Sequence, residues 1–307
     1  MPLRVLPHRI RRLALSTFSR AHQLVQPSKP RGKHIKIDDE ERGLNEGDYH
    51  NHQGSSLARM LRLLLLLLLS LLLITSLLAF VVYRPPPFVI SYLQRKYQDV
   101  LFHLPLPSDQ RVVALTIDDA PSPFTGAILD LLRAHNATAT FFVIGSQIAE
   151  SPSYPALLQR MHDEGHEVGN HAWRDEPSIS LPLSELERQV LEVEKLIPAN
   201  ENGRKWFRPG SGFFNQQMVE RLAKLGYGVA LGSVYPHDAQ IQLPRWNARH
   251  VLSVVRPGSV IIVHDRRGYS IEQLGIVLEG LARKKWKVVN LGTLVRIKEG
   301  LEKGKSG

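Results

Sequence analysis

The chain has 307 residues, enough for one large domain with additional segments. It contains no cysteine, which excludes disulfide bonds and thiolate metal sites, so a metal would have to be held by His and carboxylate side chains. The formal net charge is +10, but residues 1–62 hold 12 Lys/Arg and 6 Asp/Glu, whereas residues 104–307 hold 24 and 22. The positive excess therefore lies in the N-terminal segment, which argues against a nucleic-acid-binding domain.

The N-terminal segment is basic and lacks a hydrophobic pattern. Residues 1–37 contain nine Lys/Arg and no Asp or Glu, and residues 38–56 are polar without periodicity. This composition is typical of a disordered basic tail on the cytosolic side of a membrane, or alternatively of an Arg-rich mitochondrial transit peptide. We predict a disordered cytosolic tail over residues 1–62, because the segment that follows it is typical of a membrane span.

Residues 63–82 form an apolar run of 20 residues, most of them Leu and none of them charged. A helix of this length is ~30 Å long, which matches the hydrocarbon core of a bilayer. A cleaved secretory signal would have a shorter apolar region and would not follow a long polar segment. The sequence therefore predicts a transmembrane signal-anchor helix over residues 63–82.

The charges next to this helix do not decide its orientation, because Arg59 and Arg62 precede it and Arg84, Arg95 and Lys96 follow it. The 12 Lys/Arg of the whole N-terminal segment favour a cytosolic N-terminus. We therefore expect a single-pass membrane protein whose remaining part is lumenal or extracellular. The mitochondrial inner membrane is the alternative.

Residues 83–108 are rich in proline at both ends, with Pro-Pro-Pro near the start and Leu-Pro-Leu-Pro near the end. Proline stiffens a linker, so this segment predicts a stalk between the membrane helix and a folded domain. Residues 88–101 within it could form a short amphipathic helix near the membrane.

From residue 109 onward, short apolar runs alternate with segments of helical periodicity. The runs predict strands at residues 112–117, 138–144, 166–170, 206–208, 227–231, 259–263 and 287–290. Helices are predicted at residues 125–135, 155–164, 184–197, 215–225, 247–255 and 271–284. A capping box from Ser184 to Glu187 opens the third helix, and Gly226 ends the fourth. The alternation predicts one α/β domain over residues 109–300, with a parallel sheet that is open or closed into a barrel, and a tail over residues 301–307.

Charged side chains follow five of the predicted strands. Asp118 and Asp119 end the first strand, and neighbouring side chains of a strand point to opposite faces, so the two carboxylates would have different roles. The carboxyl ends of parallel strands meet at one edge of a sheet, where ligands bind. We therefore expect one site that also includes the residues following later strands, namely His171, Arg208, Asp238 and His264.

The order of these residues resembles the polysaccharide deacetylases of carbohydrate esterase family 4, which contain the NodB-homology domain. The resemblance spans about residues 109–296. Its five motif positions are Thr116-Ile-Asp-Asp119, His171, Arg208-Pro, Asp238 and Val263-His-Asp265. The fold that the resemblance implies is an irregular (β/α) barrel of about seven parallel strands, here preceded by a membrane-spanning helix.

The resemblance also implies roles in the hydrolysis of an N-acetyl amide. Asp118 would be the base that takes a proton from the attacking water, and Arg208 would pair with it and orient it. His264 would be the general acid on the leaving nitrogen, with Asp238 bonded to its other ring nitrogen to fix the tautomer. Backbone N–H groups of residues 209–212 could hold the oxyanion.

By the same resemblance, Asp119 and His171 would be metal ligands. The second motif of the family is His-Ser/Thr-x-x-His, whereas Asp175 stands here at the position of the second imidazole. A carboxylate can be the third ligand, because its oxygen binds zinc at about the same distance as an imidazole nitrogen. Zinc is the expected metal, and the more anionic ligand set makes Mn²⁺ or Co²⁺ competitive.

Two aromatic positions of the family also differ. Ala239 stands where the fourth motif usually has Trp, and Gly210-Ser211 replace an aromatic residue in the third. Either loss removes part of a sugar-binding wall. The side chains that could substitute, or that could equally belong to the core, are Phe213, Phe214, Tyr235 and Trp246.

The resemblance implies a metal-dependent hydrolase of linear amide bonds that deacetylates N-acetylglucosamine units in a polysaccharide, with chitin as the model substrate. One alternative is a catalytically inactive carbohydrate-binding pseudo-enzyme, which the altered second and fourth motifs support. Another is a deacetylase of a different N-acetylated glycan, such as a lipid-linked or protein-linked one. The expected partners are an N-acetylated polysaccharide and a membrane, with no nucleic acid.

Overall fold

The computed structural model describes residues 46–304, with side chains from residue 56 onward. Helix α1 (Glu46–Tyr83) includes the predicted span over residues 63–82. Its part Ser56–Tyr83 is long and apolar enough to cross a membrane, and no other described residues cover its apolar window. The predicted disordered tail over residues 1–62 lies mostly outside the described residues, but its last part, from Glu46, is helical.

Residues 83–108, predicted as a stalk, contain a helix and a strand. Helix α2 (Pro87–Lys96) begins with proline at its first position, where the missing N–H has no helical partner to lose. Strand β1 (Val100–Leu101) pairs in parallel with a strand of the following domain, and Ile90, Val100 and Phe102 are buried in one of its apolar clusters. The segment is therefore packed as part of the α/β domain.

All seven predicted strands are present and parallel to their partners. They are β2 (Val112–Ala120), β3 (Thr140–Val143), β4 (Glu167–Asn170), β5 (Lys205–Phe207), β6 (Tyr227–Ala230), β7 (Val260–His264) and β8 (Lys287–Val289). The order in the sheet is β1-β6-β5-β4-β3-β2-β7, and β8 pairs with the start of β2. Single-residue bridges from Ile261 to Val234 and from Ser259 to His103 curl the sheet into an irregular, half-closed barrel.

Helices connect the strands, as parallel pairing requires. They are α3 (Thr125–Ala134), α4 (Gly145–Ile148), α5 (Tyr154–Asp163), α6 (Leu183–Glu194), α7 (Gln216–Lys224), α8 (Pro244–Val254), α9 (Ser270–Arg283) and α10 (Leu291–Lys303). The six predicted helices are all found. Gly226 follows α7 with φ 81°, as its predicted role requires. The predicted capping box is wrong, because α6 already begins at Leu183, after Pro182, and no side chain caps it.

Strand β2 lies at the centre of the sheet, and all nine of its residues are buried. It pairs with β3, β7 and β8, so it has neighbours along its whole length. A strand that is covered on both faces needs apolar side chains on both, which explains its uninterrupted apolar run. This placement carries Asp118 and Asp119 to the centre of the carboxyl edge.

The carboxylate of Glu167 fixes the last helix to the sheet. Glu167 is buried in β4 and accepts hydrogen bonds from Thr140 Oγ1 at 2.8 Å and from Asn202 Nδ2 at 2.6 Å. It also accepts the backbone N–H of Gly292, in the first turn of α10, at 3.0 Å. Helix α10, which was not predicted, is thereby held against the strands by a buried charge at its N-terminal end, where a negative charge is favourable.

Candidate active site

The predicted site residues meet at the carboxyl edge of the sheet, around a cavity of about 540 Å³. Each lies at or after the end of a strand, as the topology of parallel sheets requires. Those that line the cavity are Asp118, Asp119, His171, Asp175, Arg208 and His264, while Asp238 lies behind His264.

Both aspartates of β2 line the cavity, although neighbours in a regular strand face opposite sides. The departure from regular strand geometry occurs at Asp119, whose φ of 64° lies in the left-handed region. The backbone therefore leaves the strand geometry at this residue and brings the second carboxylate to the same side as the first. Such a conformation is uncommon for a residue other than glycine and is typical of functional sites.

Asp118 is held by a fully buried arginine. Arg208 donates from Nη1 to Asp118 Oδ1 at 2.5 Å and to Thr116 Oγ1 at 2.8 Å. Its Nε and Nη2 donate to backbone carbonyls of Ala230 and Leu231 at 3.0 and 2.9 Å. Burial lowers the pKa of Arg208, and the charge of Asp118 opposes that change. An arginine keeps its charge in proteins, so the two groups form a buried ion pair with a fixed orientation.

Asp119 and His171 form a pair on the other side of the cavity. His171 Nδ1 donates to the carbonyl of Arg208 at 2.6 Å, so Nε2 is the ring nitrogen that lies on the side of Asp119. Nε2 lies 3.8 Å from Asp119 Oδ1, too far for a hydrogen bond but suitable for two ligands that share one cation at about 2.0–2.2 Å. Burial raises the pKa of Asp119, and the charges of His171 and His264 oppose this shift.

Asp175 lies near this pair but is bound to another group. Its side chain is 50% exposed, and its Oδ2 accepts a hydrogen bond from Arg266 Nη2 at 2.5 Å. The same Nη2 lies 3.5 Å from Asp119 Oδ2, so a guanidinium separates the two carboxylates. Among the side chains described from residue 56 onward, no three His, Asp or Glu are arranged to hold a metal. The donor types fit a divalent cation, but the third donor is turned towards Arg266.

His264 and Asp238 form a second buried pair. His264 Nδ1 lies 2.7 Å from Asp238 Oδ1, and Asp238 Oδ2 accepts the N–H of His264 at 3.1 Å and the amide of Gln273 at 3.0 Å. With Nδ1 committed to Asp238, Nε2 faces the cavity. Burial acts to lower the pKa of His264, but the hydrogen bond and charge of Asp238, with the charges of Asp118 and Asp119, raise it to about 9.

Three supporting residues were not predicted. Asp265, which was noted only as part of the last motif, is fully buried and accepts hydrogen bonds from Ser122 Oγ at 2.6 Å and from Thr125 Oγ1. Gln273 supports Asp238, and Arg266 separates Asp119 from Asp175. Only Asp265 had a signal in the sequence, its place beside His264. The others are recognisable only once the loops are folded.

The four candidate aromatic residues separate into two groups. Phe213 and Tyr235 line the cavity, and Phe213 is 66% exposed. Phe214 instead packs against Tyr97 and Phe102. Trp246 lies outside the cavity and donates from Nε1 to the hydroxyl of Tyr83. The wall available for a sugar ring therefore consists of Phe213 and Tyr235.

The turn at residues 209–212 has limited capacity for an oxyanion. The N–H of Gly210 donates to Ser178 Oγ at 2.8 Å, and that of Gly212 donates to the carbonyl of Pro209 at 3.0 Å. Within the described chain this leaves the N–H of Ser211, whose φ of 63° also lies in the left-handed region.

The end of α1 contacts the loop that carries Asp238. The ring of Tyr83 stacks on His237 with centroids 4.5 Å apart, and His237 Nε2 donates to the carbonyl of Tyr83 at 2.8 Å. Tyr235 lies edge-on to His237 at 5.0 Å and to His264 at 5.8 Å. A row of aromatic rings thus connects Tyr83, the last residue of α1, with His264.

Comparisons with known proteins agree with this geometry. Residues 106–230 match the family model described as polysaccharide deacetylase. The chain is 29% identical over 199 residues to a peptidoglycan-N-acetylglucosamine deacetylase of Bacillus cereus, covering 63% of this chain and 92% of that protein. It is 34% identical over 177 residues to a chitooligosaccharide deacetylase of Bradyrhizobium, covering 56% of this chain and 76% of the relative.

A solved structure derived from a pseudoenzyme is also similar. It is a mutant, with restored enzymatic activity, of a carbohydrate esterase family 4 pseudoenzyme from Bacillus anthracis. The TM-score is 0.56 at 27% identity, and the match covers 64% of this chain and 70% of that one. The fold therefore occurs in active deacetylases and in a protein described as a pseudoenzyme.

Proposed function

The chain belongs to the polysaccharide deacetylase family, whose members act on N-acetylated glucosamine polymers, and from this premise we propose that it hydrolyses N-acetyl groups of a chitin-like polysaccharide. The observation that carries the proposal is the placement of two buried pairs in one site. Asp118 with Arg208 and His264 with Asp238 present a carboxylate and an imidazole to the same cavity. Amide hydrolysis needs a base and an acid in this relation.

Asp118 is proposed as the base. Its Oδ1 is bonded to Arg208, and three further hydrogen bonds hold the guanidinium in place, so the carboxylate is oriented before substrate arrives. A carboxylate in this position takes a proton from the water that attacks the acetyl carbonyl.

His264 is proposed as the acid. Its raised pKa keeps it protonated at neutral pH, and Asp238 fixes the ring so that Nε2 faces the cavity. The proton on Nε2 passes to the nitrogen of the sugar when the C–N bond breaks. The leaving group is then a neutral amine, which departs far more easily than an amide anion.

The proposed metal ligands are Asp119 and His171, with Asp175 as the third once it leaves Arg266. Deacetylases of this family are in general metal-dependent. A bound divalent cation would supply a Lewis acid for the amide carbonyl and would activate the attacking water. We propose zinc, with Mn²⁺ or Co²⁺ as alternatives because two of the three donors are carboxylates.

The test is acetate release by the full-length chain in detergent. The purified protein would be stripped of metal, supplied with Zn²⁺, Mn²⁺ or Co²⁺, and assayed on chitin oligomers and on other N-acetylated glycans. We expect release with at least one metal. An Asp118→Asn variant should retain bound metal but lose roughly 10²- to 10⁴-fold in turnover. Equal activity of this variant would reject Asp118 as the base.

A carbohydrate-binding pseudo-enzyme is the second candidate. It is favoured by the ion pair between Asp175 and Arg266, which occupies the proposed third ligand, and by the similarity to a family pseudoenzyme. Metal analysis separates the two functions. A chain that binds glycan, contains no cation after purification and takes none up when supplied would support the pseudo-enzyme.

A further inference from the structure

Arg266 occupies the space between two carboxylates that are proposed as ligands of one cation. Its Nη2 is 2.5 Å from Asp175 Oδ2 and 3.5 Å from Asp119 Oδ2. With its amide oriented to satisfy both neighbours, Gln147 accepts a hydrogen bond from Nη1 of Arg266 at 2.7 Å and donates to the carbonyl of Asp119 at 2.8 Å. Three side chains therefore hold the guanidinium beside the Asp119–His171 pair.

The backbone also directs Arg266 into the site. Its φ is 58°, in the left-handed region that residues other than glycine rarely adopt. Its N–H donates to the carboxylate of Asp265 at 2.7 Å, and Asp265 is fully buried and bonded to Ser122 and Thr125. The direction of Arg266 is thus set by the rigid junction of β7 with the loop after β2.

Each carboxylate of the site faces a cationic group when Arg266 is in this position. Asp118 faces Arg208, and Asp238 faces His264. Arg266 is the cation that faces both remaining carboxylates, Asp119 and Asp175. A divalent cation that bound to these two carboxylates would lie next to a guanidinium, which opposes its binding as a like charge does.

We propose that Arg266 competes with the metal for Asp119 and Asp175, so that the metal is fully liganded only after the guanidinium has moved away from the site. The inference rests on the proposed metal-dependent function. With Arg266 competing for the carboxylates, the metal affinity of this chain would be lower than the affinity of the same ligands without Arg266. Arg266 contacts the proposed ligands and not the metal, so it is a positioning residue. It affects metal affinity by engaging Asp119 and Asp175.

The experiment measures metal affinity directly. The full-length chain in detergent, stripped of metal, is titrated calorimetrically with Zn²⁺ and with Mn²⁺. Arg266→Gln removes the charge and should tighten binding roughly 10- to 100-fold, the range seen when residues supporting metal ligands are changed. The matched control is Arg245→Gln, which removes an arginine whose side chain is 80% exposed and which does not line the cavity, and it should leave affinity within about threefold of the unmodified chain. Unchanged or weaker binding by Arg266→Gln overturns the proposal.

Two further variants distinguish competition between Arg266 and the metal from a general change of structure. Arg266→Lys keeps the charge and should bind metal like the unmodified chain, so a gain equal to that of Arg266→Gln would contradict competition by charge. Arg266→Gln combined with Asp175→Asn should lose the gain, because the released ligand is absent. Melting temperatures of all variants show whether each is folded.

The outcomes for this inference and for the proposed function are distinct. Tighter metal binding by Arg266→Gln without acetate release from any glycan supports the inference and rejects the deacetylase. Metal-dependent acetate release by the unmodified chain, with no gain in affinity in Arg266→Gln, supports the deacetylase and rejects the inference.

Discussion

At the scale of single residues, His264 has the environment that most defines a chemical role. Asp238 and the two aspartates of β2 raise its pKa to about 9, against the opposing effect of burial. Its charged form is therefore the form present at neutral pH. Asp118, on the other side of the cavity, is bonded to Arg208 instead. Such different environments are what the proposed acid and the proposed base need in order to work in one site at one pH.

Replacing Asp238 should change the pH dependence of catalysis. The folded pKa of His264 is raised above 6.5, so its contribution to stability is complete below pH 6.5 and is lost as pH rises through about 9. The protonated form that acid catalysis needs is lost as pH rises through the same folded pKa. Asp238→Asn should lower kcat/KM roughly 10²- to 10⁴-fold and move the alkaline limb of the pH profile towards 6.5. Profiles of both proteins between about pH 5 and 10 check this.

The control for that profile is Glu272→Gln on α9, which removes a carboxylate whose side chain is 51% exposed. It should leave the limb in place. An alkaline limb that stays near pH 9 in Asp238→Asn would show that another group titrates there.

Arg208 is expected to be a stability residue as well as part of the site. Arg208→Met leaves the buried carboxylate of Asp118 without its partner, which costs about 3–5 kcal/mol of unfolding free energy. Denaturant unfolding of the full chain in detergent, followed by tryptophan fluorescence, measures this. Arg221→Met removes an arginine whose side chain is 39% exposed, paired with Glu187, and should cost no more than about 1 kcal/mol. Equal losses in the two variants would contradict a special role for the buried pair.

The residues of the site differ in how far the sequence predicted them. Those that end strands could be located from sequence, because topology alone brings strand ends together. The pairing of Asp175 with Arg266 joins two loops whose residues are 91 positions apart, and no local pattern connects them. The same holds for Gln273 beside Asp238.

At the scale of secondary-structure elements, the sheet was predictable because buried parallel strands have continuous apolar runs in the sequence. Strand β1 has two residues, too few for such a pattern, and its existence depends on pairing with β6. Helix α10 was not predicted although it has a local start signal, since Asn290 caps it by accepting the N–H of Thr293. Its second N-terminal contact, with Glu167, comes from more than a hundred residues earlier in the chain and has no local signal. The expected cap at Ser184 failed because α6 begins one residue earlier, at Leu183, with Pro182 in the N-cap position.

Glu167 offers a test of how α10 is held. Glu167→Gln places an amide N–H₂ group where the N–H of Gly292 and the amide of Asn202 need an acceptor. Leaving a buried donor unsatisfied costs about 1–3 kcal/mol. Unfolding free energies in denaturant measure the loss. Glu299→Gln, on α10 itself, removes an exposed partner of Arg204 and should cost less than about 1 kcal/mol. A smaller loss of unfolding free energy for Glu167→Gln than for Glu299→Gln would contradict the role of Glu167 in holding α10.

At the scale of the whole molecule, we propose that α1 anchors the chain in a membrane and that the catalytic domain lies on the lumenal or extracellular side. Asn136-Ala-Thr138 is the single glycosylation sequon of the chain, and Asn136 is exposed just after α3. Expression in cells with a secretory pathway should therefore attach a glycan at Asn136. A shift in electrophoretic mobility that glycosidase treatment and Asn136→Gln both abolish would establish lumenal exposure. A membrane-inserted chain without glycan, and with a processed N-terminus, would instead support mitochondrial import.

The contact of Tyr83 with His237 has a consequence for substrate access if α1 anchors the chain in a membrane, as proposed. Three ring contacts of 4.5, 5.0 and 5.8 Å connect the last residue of α1 with His264. With α1 in a bilayer as proposed, there is no extended arm between lipid and active site. A sugar unit then has to come within a few side-chain lengths of the membrane surface to be processed. Turnover would follow the number of glycan chains per area of that surface, and distant parts of a long polymer would keep their acetyl groups.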